Sequence, residues 1–191
     1  MIDDTDTYSS AQSDNVIGTS NVQADHSITL RHPNKADAFV IHSLIKQCPP
    51  LDLNSIYTYL LLSEHFSQSC VVAEAGQDPD GFVSAYIPPT KPDVLFVWQV
   101  AVHERARGRS LGRRMLLELL KRPNLAHIRY IETTVGPDNA ASRGMFSSLA
   151  QKLQAEVSES AFFDSHLFGD SGHADERLIR IGPLPMPPPD I

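Results

Sequence analysis

The sequence contains little cysteine and no long apolar segment, and both deficits restrict what the protein can be. Two cysteines, Cys48 and Cys70, occur among 191 residues, which is too few for a disulfide framework or a cysteine-rich metal site. No apolar run approaches the ~20 residues that a membrane-spanning helix requires. Basic residues are also in the minority, because 16 Lys and Arg against 23 Asp and Glu give a formal net charge of −7. That balance argues against a general nucleic-acid-binding surface.

The two ends of the chain lack the patterns of folded segments. Residues 1–27 contain no Lys or Arg and show no apolar period, which predicts a disordered acidic tail. The start is acidic where a secretory signal is basic, which favours a cytoplasmic protein. Residues 184–191 are rich in proline, and we expect them to form an extended tail. One domain, residues 28–183, remains.

Hydrophobic periodicity changes repeatedly within this domain. Short or alternating apolar runs predict strands at 28–32, 69–75, 81–87, 94–102, 128–135, 156–163 and 176–181. Helical spacing predicts helices near 38–45, 55–62, 110–121 and 139–153. The second helix begins at a good N-cap, Asn54 or Ser55, and is expected to bury Ile56, Tyr59, Leu60 and Leu62. The order of elements predicts an α/β (α+β) domain in which helices cover a mixed sheet.

The strongest chemical signal follows the strand predicted at 94–102. A short loop leads from it into an amphipathic helix and contains Arg107, Gly108, Arg109 and Arg113 at or near the helix start. Backbone N–H groups and the dipole at a helix N-terminus favour anions, and Gly108 permits close approach of the backbone. The loop lacks the Gly-Lys-Ser/Thr end of a P-loop and the three glycines of the Rossmann pattern. It indicates either another kind of anion site or a basic, solvated helix start.

Two segments carry a family resemblance. Arg107-Gly108-Arg109-Ser110-Leu111-Gly112 resembles motif A of the GNAT acetyltransferases, Gln/Arg-x-x-Gly-x-Gly/Ala, with Ser110 in place of the middle glycine. The segment that starts at Asn139 and ends at Phe146 resembles the helix that flanks the cofactor in that family. The resemblance implies a GNAT fold, with a mixed, mostly antiparallel sheet and helices on both faces. It also implies a bulged fourth strand that splays from the fifth.

The GNAT resemblance implies acetyl-CoA as co-substrate and assigns residues to it. The backbone of Val100 and Val102, with Ala101 between them, would bind the pantetheine arm as a short added strand. The pyrophosphate would lie on the loop formed by Arg107, Gly108, Arg109, Ser110, Leu111, Gly112 and Arg113. Asn139 would contact the arm near the thioester. Many GNAT enzymes protonate the leaving thiolate with a tyrosine, but the matching residue here is Phe146, which cannot donate a proton.

Further segments resemble one GNAT branch, the L-2,4-diaminobutyrate acetyltransferases of ectoine biosynthesis. They are residues 48–62 (CPPLDLNSIYTYLLL), 96–102 (FVWQVAV), 132–139 (ETTVGPDN) and 173–176 (HADE). The resemblance implies direct attack of the substrate's 4-amino group on acetyl-CoA, giving N4-acetyl-L-2,4-diaminobutyrate for ectoine synthesis. It also implies a homodimer. No metal is expected, because the spacing of His166 and His173 among nearby aspartates matches no standard ligand pattern.

The same resemblance implies an acceptor site made by Asp52, Tyr57, Trp98, His173 and Glu176. A substrate with two ammonium groups needs acidic partners, and one ammonium must lose a proton before it can attack. Asp52 or Glu176 is the expected proton acceptor, and the sequence does not choose between them. Trp98 would form an apolar wall that tolerates cations. Structural interpretations stay open: Asp52 as a helix cap, Tyr57 and Trp98 as packing residues, His173 and Glu176 as solvated surface.

Two other functions fit part of the same motifs. One is a GNAT enzyme that acts on another small amine or a protein N-terminus, for which a long groove beside Trp98 is expected instead of an acidic pocket. The other is a non-catalytic acyl-CoA-binding module, which the absence of a tyrosine at position 146 favours. Cys48 and Cys70 lack the His/Asp setting of a nucleophile and are expected to be packing residues.

Overall fold

The computed structural model describes residues 28–76 and 78–185. The expected tail 1–27 and residues 186–191 of the expected proline-rich tail lie outside the described residues. Leu184, at the start of that second segment, is buried in the core, and its amide donates to the Arg129 carbonyl oxygen at 2.7 Å. No helix in the described ranges is long and apolar enough to cross a membrane.

The described residues form seven strands and four α-helices in the expected order. The strands are β1 (Thr29–Arg31), β2 (Val71–Glu74), β3 (Pro79–Tyr86), β4 (Val94–Val102), β5 (Tyr130–Val135), β6 (Val157–Phe163) and β7 (Glu176–Ile181). The helices are α1 (Ala38–Lys46), α2 (Ile56–His65), α3 (Leu111–Leu120) and α4 (Ala140–Leu153). The strands make one sheet in the order β1-β2-β3-β4-β5-β7-β6. Within it β4 and β5 run parallel, and the other neighbouring pairs run antiparallel.

Helices cover both faces of the sheet, as the sequence predicts. On one face α3 and α4 contribute Leu111, Met115, Leu119, Phe146 and Leu149 to the larger core. On the other face α1 and α2 pack Ile41, Ile45 and Tyr59 against Val72, Phe82 and Ala101. The two cores exclude water from both sides of the central strands, and apolar burial of this kind is the main stabilising contribution to a domain.

One packing prediction for α2 is wrong. Tyr59 and Leu62 are buried as expected, but Ile56 and Leu60 are 39% and 37% exposed. The helix packs on the sheet through one narrow side, and its other side is also apolar, so the sequence period does not show which side faces inward. The surplus apolar side leaves an exposed hydrophobic surface on α2.

A β-bulge in β4 shapes the middle of the sheet. The β3–β4 register pairs Ser84 with Gln99 but Ala85 with Val97, so Trp98 is the extra residue in β4. The pairing of β4 with β5 extends only to Val97 and Thr133, although β4 continues to Val102. A bulge bends its strand, and β4 beyond Trp98 therefore diverges from β5. This confirms the bulged and splayed fourth strand implied by the GNAT resemblance.

A cluster of ion pairs joins the edge strand β1 to β2 and to the residues just before α1. The Arg31 guanidinium donates to both carboxylate oxygens of Asp37, at 2.8 and 2.9 Å, and to Glu74 at 2.8 and 3.0 Å. Burial alone would raise the pKa of Asp37, but hydrogen bonds from Arg31 and from the Asn34 amide outweigh burial and leave its pKa below the usual value. The cluster thus favours the ionised carboxylate in the folded state.

The lowered pKa of Asp37 predicts an acid-dependent contribution to stability. Because the folded protein binds this proton less tightly than the unfolded chain, the contribution is present above the unfolded pKa and is lost as the pH falls through the folded pKa. Asp37→Asn should lower the free energy of unfolding by about 1–2 kcal/mol at pH 7 and remove this acid dependence, measured by urea unfolding between pH 3 and 7. Asp78→Asn, at an exposed site, is the control. An Asp37→Asn protein that loses stability in acid as the wild type does would contradict this.

Candidate active site

A pocket of about 650 Å³ opens where β4 diverges from β5. Four parts of the chain line it: the middle of the loop between α1 and α2, β4 around the bulge, the end of β5 with the start of α4, and the residues around the start of β7. Six of the predicted site residues lie on this one cavity: Asp52, Trp98, Val100, Asn139, His173 and Glu176. The sheet thus brings together residues that are far apart in the sequence.

The acidic side of the pocket is built around His173. Its Nε2 lies 3.8 Å from Asp52 Oδ2 and 3.8 Å from Glu176 Oε1. The Asp52 side chain is 82% exposed, whereas that of Glu176 is 20% exposed. An imidazole between two carboxylates gives this part of the cavity negative charge when the ring is neutral, which suits a cationic substrate.

Asp52 is held over the pocket through its backbone. The buried Gln99 side chain, just after the bulge, donates from Nε2 to the Asp52 carbonyl oxygen at 2.8 Å. The buried Tyr59 hydroxyl lies 3.5 Å from Gln99 Oε1 and donates to it. Ser55, not Asp52, caps α2, because its hydroxyl accepts the Thr58 amide. The helix-cap interpretation of Asp52 is therefore wrong.

Sequence reasoning missed Gln99. Its backbone N–H donates to the buried Ser84 hydroxyl at 3.1 Å. Both the backbone and the side chain of Gln99 therefore form hydrogen bonds next to the bulge. The available signal was a single amide side chain in an otherwise apolar strand, since buried polar groups require partners. Gln99 connects the bulged strand to the loop that carries Asp52.

Trp98 is placed by the bulge at the cavity. Its side chain is 40% exposed and lines the pocket, so it is not a core residue. Tyr57 lies in the first turn of α2, is 66% exposed and is not among the lining residues. The structure therefore places Trp98, but not Tyr57, at the candidate acceptor site.

The predicted anion loop lies between β4 and α3. Gly108 has φ +77°, and Ser110, the residue before the first turn of α3, also adopts the left-handed region at φ 54°. Serine therefore takes the backbone conformation that usually favours glycine. The first N–H groups of α3 are left for an anion, as at any helix start. Arg107 and Arg109 are exposed here.

Close packing holds this loop against the pocket wall. A Cβ at Gly112 would lie 2.8 Å from Met145 Sδ and 3.2 Å from Val100 Cγ1. Gly112 thus permits α3 to approach both α4 and β4. Arg113 donates to the Ser148 hydroxyl on α4, and Arg107 Nε donates to the Val102 carbonyl oxygen at 3.2 Å. Of the predicted anion-binding arginines, two therefore also make contacts within the protein.

The start of α4 forms another wall of the pocket. The Asn139 side chain caps this helix by accepting the Ser142 amide at 3.1 Å. Phe146, one helical turn after Ser142, is buried and lines the cavity. It has no proton to donate, but the hydroxyl-bearing residues Thr133, Thr134 and Ser142 line the same cavity.

Neither cysteine has the environment of a nucleophile. Burial raises the pKa of Cys70 to about 12, and burial also raises the pKa of Cys48. Both are free and buried, and a thiol that stays protonated is a poor nucleophile. Within residues 28–76 and 78–185, no group of three His, Cys, Asp or Glu side chains is placed to hold a metal ion.

The chain is similar to known acetyltransferases. Residues 38–150 match the Acetyltransferase (GNAT) family. The L-2,4-diaminobutyric acid acetyltransferase of Bordetella parapertussis is 56% identical over 180 residues, which cover 89% of this chain and 97% of that protein. The enzyme of the same name from Halomonas elongata is 46% identical over 157 residues, 81% of each chain.

A solved structure supports the same grouping. Diaminobutyrate acetyltransferase EctA from Paenibacillus lautus, in complex with its substrate L-2,4-diaminobutyric acid and coenzyme A, superposes with a TM-score of 0.79. It is 38% identical and covers 82% of this chain and 95% of its own. Together with the bulged β4 and the pocket beside it, these similarities are decisive: the chain belongs to the GNAT family of acetyltransferases, among the L-2,4-diaminobutyric acid acetyltransferases.

Proposed function

We propose that the protein transfers the acetyl group of acetyl-CoA to the 4-amino group of L-2,4-diaminobutyrate, giving N4-acetyl-L-2,4-diaminobutyrate for ectoine synthesis. The observation that carries the proposal is the convergence of Asp52, His173 and Glu176 with Trp98 on the gap between β4 and β5. The Bordetella and Paenibacillus relatives support the substrate by their names and, for the latter, by its bound ligands. An acidic pocket suits a small diamino acid better than a peptide.

The cofactor side of the gap fits acetyl-CoA. We infer that β4 from Val100 to Val102 offers its free edge to the pantetheine arm, since its pairing with β5 ends at Val97. The pyrophosphate would lie on the first N–H groups of α3, with Gly108 allowing close approach and Arg107, Arg109 and Arg113 supplying positive charge. Gly112 holds this helix start against β4 and α4. Asn139, at the start of α4, lies where it can contact the arm near the thioester.

The acceptor side must hold two ammonium groups. Asp52 and Glu176 are the proposed catalytic carboxylates: their negative charges bind the substrate ammonium beside the thioester and hold it where its proton can be removed. Trp98 supplies an apolar face that tolerates a cation, and His173 completes the acidic wall. Tyr57 remains a predicted contact only, because its side chain lies outside the pocket lining.

The chemistry is a direct acyl transfer with no acyl-enzyme, since both thiols are buried and protonated. The neutral amine attacks the thioester carbon, and a backbone N–H near Val100 polarises the carbonyl oxygen. Collapse of the intermediate breaks the C–S bond. With Phe146 at the usual tyrosine position, the thiolate leaves unprotonated or takes a proton from water or a pocket hydroxyl.

We also propose a cytoplasmic homodimer. Large apolar side chains are exposed on α2 (Ile56, Tyr57, Leu60, Leu61) and on or after β6 (Val157, Phe162, Phe163, Leu167), and exposed apolar patches commonly mark interfaces. Free thiols and an acetyl-CoA co-substrate suit the cytoplasm. Light scattering should give twice the chain mass of 21.1 kDa, whereas a single-chain mass at micromolar concentration would exclude the dimer.

The proposed reaction predicts a specific product. Purified protein mixed with acetyl-CoA and L-2,4-diaminobutyrate should release thiol rapidly, and NMR should show acetyl on the 4-nitrogen alone. Thiol release with a peptide that carries a protein N-terminus, but not with diaminobutyrate, would show that the acceptor is a protein N-terminus. Tight coenzyme A binding without transfer to any amine would favour the acyl-CoA-binding module.

The different exposure of the two carboxylates predicts unequal effects of removing them. Glu176→Gln and Asp52→Asn should both lower kcat/KM for diaminobutyrate, by roughly 10- to 100-fold for loss of a charge-assisted contact. Glu176→Gln should have the larger effect, because its more buried charge is less screened by solvent. The KM for acetyl-CoA should stay unchanged in steady-state kinetics. Glu156→Gln, an exposed site outside the pocket, is the matched control, and equal kinetics of all three variants would refute the assignment.

A further inference from the structure

The His173 ring is held in a defined orientation at the pocket wall. Phe168 stacks on it with ring centroids 4.1 Å apart and planes 15° from parallel. Phe163 at the end of β6 contacts Phe168 edge-on, at 6.5 Å and 89°. The loop between β6 and β7 is further tied by the Ser165 amide, which donates to Asp175 at 2.7 Å. These contacts keep the ring facing Asp52 and Glu176.

One hydrogen bond assigns the tautomer of this ring. His173 Nδ1 lies 2.7 Å from the Ala174 carbonyl oxygen, and a carbonyl oxygen can only accept. Nδ1 therefore carries the proton. In the neutral ring the lone pair is then on Nε2, the atom that lies 3.8 Å from each of the two carboxylates.

We propose that Nε2 of His173 is the group that takes the proton from the substrate ammonium, and that Asp52 and Glu176 bind the substrate and stabilise the resulting imidazolium. The inference rests on the proposed function and deepens it. An N–H bond of the ammonium breaks as the Nε2–H bond forms, and the imidazolium later releases this proton to water. The freed lone pair forms the C–N bond and the C–S bond breaks. The nitrogen loses its second proton to water, and water returns a proton to the thiolate.

An imidazole is a better proton acceptor for this reaction than either of the two carboxylates beside it. In peptides an imidazole is a stronger base than a carboxylate by about two pKa units, and a general base works best when its pKa lies near the working pH. Two carboxylates face the ring, Asp52 from the loop before α2 and Glu176 from β7, and each attracts the positive charge of an imidazolium. Phe168, packed on its face, is neutral.

The test compares His173→Gln with the wild type across pH 6–9. We expect kcat to fall at least 100-fold at pH 7, with KM for diaminobutyrate changed less than about threefold. The wild-type rate should level off towards pH 9, whereas the rate of the variant should keep rising, because without a base only substrate amine that is already neutral in water can attack. Imidazole added to His173→Ala should restore part of the rate. His166→Gln, in the same loop and 73% exposed, should behave as wild type.

Other outcomes overturn the inference in distinguishable ways. If the wild type transfers acetyl but His173→Gln keeps its kcat and pH profile, His173 is not the base. A rise in KM alone would reduce it to a binding residue. If the wild type shows no transfer to diaminobutyrate, the proposed function itself fails. Nitrogen-15 NMR of the wild-type imidazole gives a test that needs no variant, because a neutral ring protonated at Nε2 would contradict the mechanism.

Discussion

The extra residue in β4 is the constraint on which the rest of the site depends. With Trp98 inserted, β4 bends away from β5 after Val97, and a parallel pair that begins with regular pairing opens into a cavity. A separated strand has an unpaired edge, which in most sheets is a liability. Here the same edge offers N–H and C=O groups to an extended ligand. The bulge also turns Trp98 into the pocket and leaves Gln99 to hold the loop of Asp52.

Charge is divided between the two sides of this opening. The loop before α3 carries arginines and helix N–H groups in a chain whose formal net charge is −7, and it suits the anionic end of coenzyme A. The opposite side carries Asp52 and Glu176 about His173 and suits an amine. An ammonium that enters such a wall gains favourable interactions only while it keeps its proton, so the site also needs a base. An imidazole between the carboxylates meets that requirement because it can hold the proton near the charges that stabilise it.

Local features of this fold could be predicted from the sequence, because they depend on neighbouring residues. The apolar run that forms β4 was predicted correctly, and Ser55, one of the two N-cap candidates for α2, is the observed cap. The inward side of α2 was not, since Ile56 and Leu60 are as apolar as the buried Leu62 and only the tertiary packing selects between them. The meeting of Asp52 with His173 and Glu176 depends on contacts between distant segments. It was implied by family resemblance and could not be calculated from spacing. Gln99 was not predicted, because its side chain binds the carbonyl oxygen of Asp52, a residue 47 positions earlier in the sequence.

A crystal structure of this protein with coenzyme A and L-2,4-diaminobutyrate would show whether the opening beside the β4 bulge binds both substrates. We expect the pantetheine arm to lie along β4 from Val100 to Val102, in the gap left by β5. We also expect the 4-nitrogen to face the sulfur of coenzyme A, among Asp52, His173 and Glu176. An arm bound elsewhere, or a diamino acid bound away from these three side chains, would contradict this expectation.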